Sequence, residues 1–440
     1  SHSTTTEKPT EHNKIVPLFK EAQLPDAFAH RENSFNDYDA RPLLASREST
    51  LGPGLSAVDL DGDFIDEILM GTGKGSIPKG IMRSPNKPDT FELIHWGGSS
   101  KAIRDILSLG VAPKLKGKRM LLATQSNLED GLTIGSSVSQ IQDSAWAKID
   151  EAGVFGAGPV ALADVDSDGD VDLFVGGMAN HSDSYLNISS YLFLNSGDDF
   201  ELTDTGRALN HIGSVTGAVF TDVDNDRDPD LLLARRWNSP LLLINDQGNF
   251  TDRTEEWGLS ELKGLWHGVS TGDFNNDGRM DFIMTNLGKN NKYTRYLDQE
   301  IWLHLGDFNG DGISEGVESI VDPFLQKRVP MRDLDTLSKV MPWVHDMFPS
   351  YHAFGQAPIE TLLGPVETPP VILKLNTLDT SIFLNLGNGF ARKNLPSECQ
   401  FTPAMGCSVS DFDGDGNEDI YLAQNFFDVE RETSRRDAGL

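Results

Sequence analysis

The chain is short of cysteine, of basic charge and of long apolar runs. It has 2 cysteines in 440 residues, and 37 Lys+Arg against 67 Asp+Glu give a net charge of −30. No stretch of about 20 consecutive apolar residues exists, so nothing reads as a membrane-spanning helix. The acidic balance leaves no basic patch to gather phosphates, which argues against a nucleic-acid partner. Ten histidines are scattered without H-x-H or H-E-x-x-H spacing, so a zinc or copper centre has no support. GTGKG at Gly71 lacks the spacing and the following Ser/Thr of a phosphate loop. GVSTG at Gly268–Gly272 matches the G-x-S-x-G pattern, but it runs into an acidic loop rather than a helix, so Ser270 does not read as a nucleophile.

What the chain does have is one acidic nine-residue phrase, six times over. The copies are DLDGDFIDE from Asp59, DVDSDGDVD from Asp164, DVDNDRDPD from Asp222, DFNNDGRMD from Asp273, DFNGDGISE from Asp307 and DFDGDGNED from Asp411. Positions 1, 3, 5 and 9 offer side-chain oxygens. These are Asp59, Asp61, Asp63 and Glu67; Asp164, Asp166, Asp168 and Asp172; Asp222, Asp224, Asp226 and Asp230; Asp273, Asn275, Asp277 and Asp281; Asp307, Asn309, Asp311 and Glu315; and Asp411, Asp413, Asp415 and Asp419. Position 7 (Ile65, Asp170, Asp228, Arg279, Ile313 and Asn417) is left to contribute a backbone carbonyl. Hard oxygens at this spacing suit Ca²⁺, so up to six calcium ions are expected.

Clusters of Asp, Asn and Gly are often only turns, but six copies with the same oxygen positions argue for a metal loop. An EF-hand also opens D-x-[DN]-x-D-G, yet it needs a bidentate acid at position 12 and flanking helices. Position 12 is Met70, Val175, Leu233, Met284 and Leu422 in five copies, each in an apolar run of strand character; only the copy at Asp307 has an acid there, Glu318. Position 6, normally Gly for its sharp turn, is Phe64 in the first copy and Arg227 in the third, which should weaken those sites. The loops at Asp164, Asp411 and Asp273 keep both Gly at position 6 and Asp at position 9, and are expected to fill first. Glu67 and Glu315 are one methylene longer and are expected to bind more weakly.

Strands rich in Gly, Ala and Ser enter the loops (LSAV, PVALA, GAVFT, GVSTG, CSVS), and apolar strands leave them (EILMG, DLFVGG, DLLLAR, DFIMTN, DIYLAQ). Further on, YLFLNSGDDFEL, PLLLINDQGNFTD and SIFLNLGNGFAR each set an apolar strand before an Asn/Gly turn and a second strand. Four antiparallel strands per roughly 50 residues make a propeller blade. The loop starts are 105, 58, 51, 34 and 104 residues apart. The first wide gap leaves room for a blade without a metal loop near residues 101–153. The second holds residues 329–364, whose apolar spacing is helical and predicts an insertion within one blade. The count predicts an all-β, seven-bladed β-propeller over residues 15–440 after a flexible polar start, 1–14. Residues 15–24 (IVPLFKEAQL) are expected to complete the last blade and close the ring, removing exposed sheet edges.

Loops and blades together resemble the FG-GAP/VCBS propellers, the repeat of integrin alpha-chain heads. The opening HRENSFNDYDARPLL, the helical insertion and the closing YLAQNFFDVERETSRRDAGL are similar to the bacterial VCBS proteins related to cartilage acidic protein, of ASPIC/UnbV type. Members of that group commonly carry a further C-terminal domain, and this chain ends before one could begin.

The six loops hold 26 of the acids, so much of the charge excess sits where cations would neutralise it, and calcium is expected to stabilise the fold. That charge suits a calcium-rich exterior, and an exported, extracellular, cell-surface or periplasmic protein is expected. No signal peptide is visible; SHSTTTEKPTEHNK reads as a polar start left after removal of a leader or tag. Cys399 and Cys407 leave two readings open, a disulfide of an exported protein or two free buried thiols. Asn187 and Asn249 stand in glycosylation sequons. His267, His304 and His345 read as packing or surface residues; Trp266, Trp302 and Trp343 could line a sugar-binding face but suit a core better. Two functions follow: a non-catalytic module that binds a protein or glycan at a propeller face, or an enzyme or enzyme subunit with its site at the axis under the insertion. A polar pocket near the axis, with His or acids outside the nine-residue loops, would favour the second.

Overall fold

The computed structural model describes residues 18–85, 87–98, 101–115, 118–130, 137–142, 145–150, 155–180, 185–197, 200–202, 209–364, 369–429 and 436. The polar start 1–14 and residues 15–17 of the expected ring-closing segment lie outside them.

The described chain is mostly β, in seven antiparallel sheets. Blade one is Leu55–Val58, Glu67–Met70, Lys79–Ser84 and Lys87–Ile94. Blade two, Ile106–Leu115, Lys118–Gln125, Ser137–Gln142 and Ala145–Asp150, closes its first hairpin without an acidic loop. Blade three is Phe155–Ala163, Asp172–Asn180, Tyr191–Asn195 and Phe200–Leu202; blade four is Val215–Thr221, Asp230–Asn238, Leu241–Asp246 and Asn249–Asp252. Blade five joins Val269–Gly272 and Asp281–Met284 to Ser381–Asn385 and Phe390–Asn394, nearly a hundred residues later. Blade six shows the hairpin Ala404–Ser410 and Asp419–Gln424.

The first strands of these six blades pack against one another in order. They surround an axial cavity of 250 Å³ whose lining includes Pro53, Ser108, Gly158, Thr216, His267 and Met405, one from each blade. Crowding at the axis explains the small residues of the entering strands. A Cβ on Gly54 would lie 2.7 Å from the Ser108 backbone, and one on Gly217 would lie 2.7 Å from the His267 carbonyl. The leaving strands of blades three, four and five are buried on both faces, whereas that of blade six leaves Tyr421 exposed. Leu231, Leu232, Leu233 and Ala234 are fully enclosed, each Leu contributing about 1.5–3 kcal/mol of apolar burial.

The seventh sheet is not a successive blade. It consists of Ile301–Gly306, Glu315–Asp322, Lys327–Pro330 and Val371–Leu375, and it grows between the second and third strands of blade five. The expectation of seven blades in series is therefore revised to six around the axis plus one inserted sheet. The physical reason is the 34-residue step from Asp273 to Asp307, too short for a hairpin and two more strands before the next blade. The helical spacing falls inside this insertion, as the short helices Leu334–Val340, Trp343–Met347, Tyr351–Gly355 and Ile359–Leu363. They bury Leu337, Met341, Val344, Ile359 and Leu362 against Phe308 and Val317 of the inserted sheet and against Leu43.

Residues 18–24 form no strand. The Phe19 ring lies 5.6 Å from that of Phe412 and 6.1 Å from that of Tyr421, on blade six, while Lys79 Nζ of blade one donates to the carbonyls of Ala27 and Ala29 at 2.8 and 2.7 Å.

Candidate metal loops and axial pocket

All six loops fold with the same three hydrogen bonds. The position-1 carboxylate accepts from the N–H of position 6, from Phe64, Gly169, Arg227, Gly278, Gly312 and Gly416 at 2.8–3.2 Å. The position-5 carboxylate accepts from position 7, from Ile65, Asp170, Asp228, Arg279, Ile313 and Asn417 at 2.8–3.0 Å. The position-9 carboxylate accepts from position 2, from Leu60, Val165, Val223, Phe274, Phe308 and Phe412 at 2.7–3.0 Å. Glu67 and Glu315 make that third bond as the aspartates do, so the extra methylene is absorbed. Position 6 is left-handed in every copy, and Phe64 (φ 68°) and Arg227 (φ 83°) hold the same turn as the glycines. Each side chain there costs about 1–2 kcal/mol.

The wrap folds the acids toward one point. Carboxylate oxygens of Asp59, Asp61 and Glu67 lie within 4.8 Å of one another, as do those of Asp164, Asp166 and Asp172, of Asp222, Asp224 and Asp230, of Asp307, Asp311 and Glu315, and of Asp411, Asp413 and Asp419. Only oxygen donors are present, which fits a hard cation such as Ca²⁺ and not a thiolate-seeking metal. The loop at Asp273 differs. Its Asn275 amide donates to Asp277 at 3.0 Å, as Asn309 does to Asp311 in the loop at Asp307, but here the Arg279 guanidinium also bonds Asp277. Glu318, the one acid at position 12, is a strand residue bonded to Tyr293 and paired with Lys292 at 3.3 Å, so the loop at Asp307 is no EF-hand.

Without a cation the convergence is costly. Burial pushes Asp230 up to about 7, Asp172 to about 6 and Glu315 to about 7. Burial, then repulsion by the neighbouring acids, also raises Asp166 and Asp224.

A second set of residues escaped the sequence reading. Asn195, Asn245 and Asn385, each closing the third strand of its blade, are buried, and their backbone N–H groups donate to Asp172, Asp230 and Asp281 at 2.8, 2.8 and 2.7 Å. The Asn245 amide reaches Val165 O, in the loop of blade three, at 2.8 Å; the Asn385 amide reaches Val223 O, in the loop of blade four, at 2.7 Å. Asn245 and Asn385 each latch a loop to its own blade and to the preceding loop, whereas the Asn195 amide donates to Val171 O of its own loop at 3.1 Å. The signal was the recurring Asn after LFL, LLI and IFL.

The axis also carries polar groups outside the loops. Glu48 is buried, accepting from Arg41 at 2.5 Å and from Arg236 at 3.3 Å. His267 lines both the axial cavity and an adjoining chamber of 40 Å³ that also touches Glu48, Tyr185, Trp237 and Tyr293. Burial, helped by Arg236 and Arg436, holds its imidazole well below the ordinary value and therefore neutral. Burial alone would raise Glu318, but Lys292 and Arg332 hold it below the usual carboxylate range. Trp237 sits at φ 54°, a left-handed backbone that costs about 1–3 kcal/mol. Nothing in ARRWN marked Arg235, Arg236 and Trp237 as interior, though all three are.

The other residues weighed from sequence are placed plainly. Ser270 lies in a strand with no helix after it. Trp266 is core; Trp302 lies under the Arg328 guanidinium at 3.7 Å; Trp343 packs on the helical cluster. His304 bonds Ser319 at 2.8 Å, and burial lowers it to about 4. Cys399 and Cys407 are free thiols, and burial pushes Cys407 up to about 12.

Residues 164–233 and 222–284 match the model of an FG-GAP-like repeat, covering the loops at Asp164, Asp222 and Asp273. Among solved structures the chain is similar to the Bacillus licheniformis rhamnogalacturonan lyase PL11, at 13% identity over 54% of this chain and 59% of that one, with a TM-score of 0.29. It is also similar to the exotype rhamnogalacturonan lyase YesX, at 11% identity over 53% of this chain and 56% of that one, again with a TM-score of 0.29. The chain thus spans less than two thirds of either, and likeness of this degree bears on neither substrate nor reaction. No curated protein matches the chain.

Proposed function

We propose that the protein is an exported propeller with FG-GAP-like repeats, made rigid by calcium, that binds a protein or glycan without catalysing a reaction. The observation that carries this is the repeated wrap, which brings carboxylates together in five loops and leaves them short of positive charge. Asp, Asn or Glu at positions 1, 3, 5 and 9 would hold each ion, and the ion would supply charge neutralisation and stiffness. A loop whose free ion stands at about a hundred times its dissociation constant gains ~2.7 kcal/mol. The latches at Asn245 and Asn385 carry that stiffness between blades. Occupancy should follow the acid count left free, so the loop at Asp273 ranks last, because Arg279 occupies Asp277. Thermal unfolding with excess Ca²⁺ and with EGTA tests the proposal, alongside counting of bound metal.

The second reading is an enzyme with its site at the axis. One observation favours it: His267, Glu48 and Arg236 meet at the axial cavities outside every acidic loop. A substrate turned over by the native chain and not by His267→Ala of equal melting temperature would move the assignment to it.

A further inference from the structure

The fifth acidic loop has a setting of its own. Asn309, Asp311, Ile313 and Glu315 form one wall of a cavity of 260 Å³, whereas no acidic-loop residue lines the axial cavity or the chamber beside it. The segment from Asp39 to Ala45 lines the same cavity, as do Lys339 and Val340 of the inserted helices. The Asn309 amide donates to the Val340 carbonyl at 3.4 Å, which ties loop to helix.

Tyr185 and Trp237 border this cavity and also the 40 Å³ chamber, so the two spaces share an aromatic partition. Trp237 is the extra residue of a bulge: Arg236 pairs with Leu265 and Asn238 with Gly264, and Trp237 is left out of the ladder. Bulges recur beside binding sites, where they re-aim a side chain, and Trp237 at positive φ is held there by its surroundings.

The lining selects a ligand class. Arg41 is already committed to Glu48, and Glu318 to Tyr293 and Lys292, so outside the acidic loop Lys339 and Asp39 are the charged groups left to meet a ligand, beside the aromatic residues Tyr185 and Trp237. A singly charged ligand would meet a group of its own sign, and an aliphatic one would use neither. A hydroxylated ring gives and takes hydrogen bonds at its edge and lays a C–H face on an aromatic. The volume is just below the roughly 300–1,000 Å³ of sites for drug-sized ligands, so it admits about one ring.

We infer that this cavity binds a sugar ring and that the cation of the loop at Asp307 sets its affinity. The second clause rests on the calcium reading above. With the ion bound, Asp307, Asp311 and Glu315 are drawn together and the wall is fixed; without it they repel and the wall loosens. Coupling between two sites is reciprocal, so the sugar tightens that one ion by the same factor, expected to be about tenfold.

The test uses the full chain with the methyl glycosides of glucose, galactose, mannose, N-acetylglucosamine and rhamnose, read by saturation-transfer NMR and calorimetry. At least one glycoside should bind in Ca²⁺ and weaken about tenfold in EGTA. Asp311→Asn should weaken it equally in excess Ca²⁺, whereas Asp63→Asn in the first loop should leave it unchanged. Ser314→Trp, which fills the cavity and removes no ligand oxygen, should abolish binding while the bound-calcium count stays the same. If no glycoside binds although Ca²⁺ still raises the melting temperature, the pocket inference falls and the calcium reading stands. Equal binding in EGTA would overturn the coupling alone. Absence of bound calcium would bring down both the coupling and the reading beneath it.

Discussion

The loop at Asp222 and the loop at Asp307 share all three internal hydrogen bonds and differ in everything around them. In the first, Asp230 accepts two backbone N–H groups, from Val223 and from Asn245, and the loop also receives the Asn385 amide of the next blade. In the second, Glu315 accepts from Phe308, and the loop faces a cavity instead of a neighbouring blade. One local code therefore serves two ends. Latched between blades, the loop is part of the ring's frame; hung from an inserted sheet, it becomes the wall of a pocket. The ligand spacing is a property of nine residues, and the role is a property of what those nine residues touch.

The largest effect should come from cutting the latch. Asp230→Ala in EGTA leaves two buried N–H groups without an acceptor, at about 1–3 kcal/mol each, and Glu315→Ala leaves one. Urea unfolding should therefore show the ring variant losing about twice as much stability as the inserted-sheet variant. Equal losses would erase the distinction between frame and wall.

Acid should expose what the two loops share. The folded, chelated chain holds Asp230 and Glu315 up near 7, while the unfolded chain holds its carboxylates near 4. The folded state then binds more protons between these values, so stability in EGTA rises as pH falls from about 7 to about 4. In excess Ca²⁺ the sign reverses, because protons compete with the ion. Melting temperature against pH in the two buffers checks both slopes.

These contrasts also mark how far the sequence could be read. The loops were legible because their oxygens are set by spacing along the chain, and the strands because their apolar runs are continuous. The latch was visible only as a repeated Asn after an apolar strand; its meaning depends on a carbonyl about 80 residues earlier for Asn245 and 162 for Asn385. The inserted sheet hid behind a loop with the same nine-residue spacing as the others; the short step to Asp307 was the sign that it was no successive blade. Glu48, Arg236 and Trp237 had no sign at all. A buried Arg or a bulged Trp is made by partners 188 residues away, in the case of Arg236 and Glu48, and not by any local pattern.

Two smaller effects sharpen the comparison among the ring loops. Arg279→Gln releases Asp277 and should tighten calcium at the loop starting at Asp273, adding up to one ion per chain in equilibrium dialysis. No gain would mean that the guanidinium is no competitor. Arg227→Gly relieves a left-handed side chain and should raise stability by about 1 kcal/mol, with no change in the number of ions bound. A loss of stability there would mean that the Arg227 side chain makes a contribution larger than its backbone strain.

The most direct test of the account is thermal unfolding of the full chain in excess Ca²⁺ and in EGTA, paired with metal analysis of the purified protein. The account predicts several Ca²⁺ per chain, no stoichiometric transition metal, and a large fall in melting temperature on chelation. A melting temperature indifferent to EGTA, or one zinc, copper or iron per chain, would contradict it and turn attention to His267 and Glu48 at the axis.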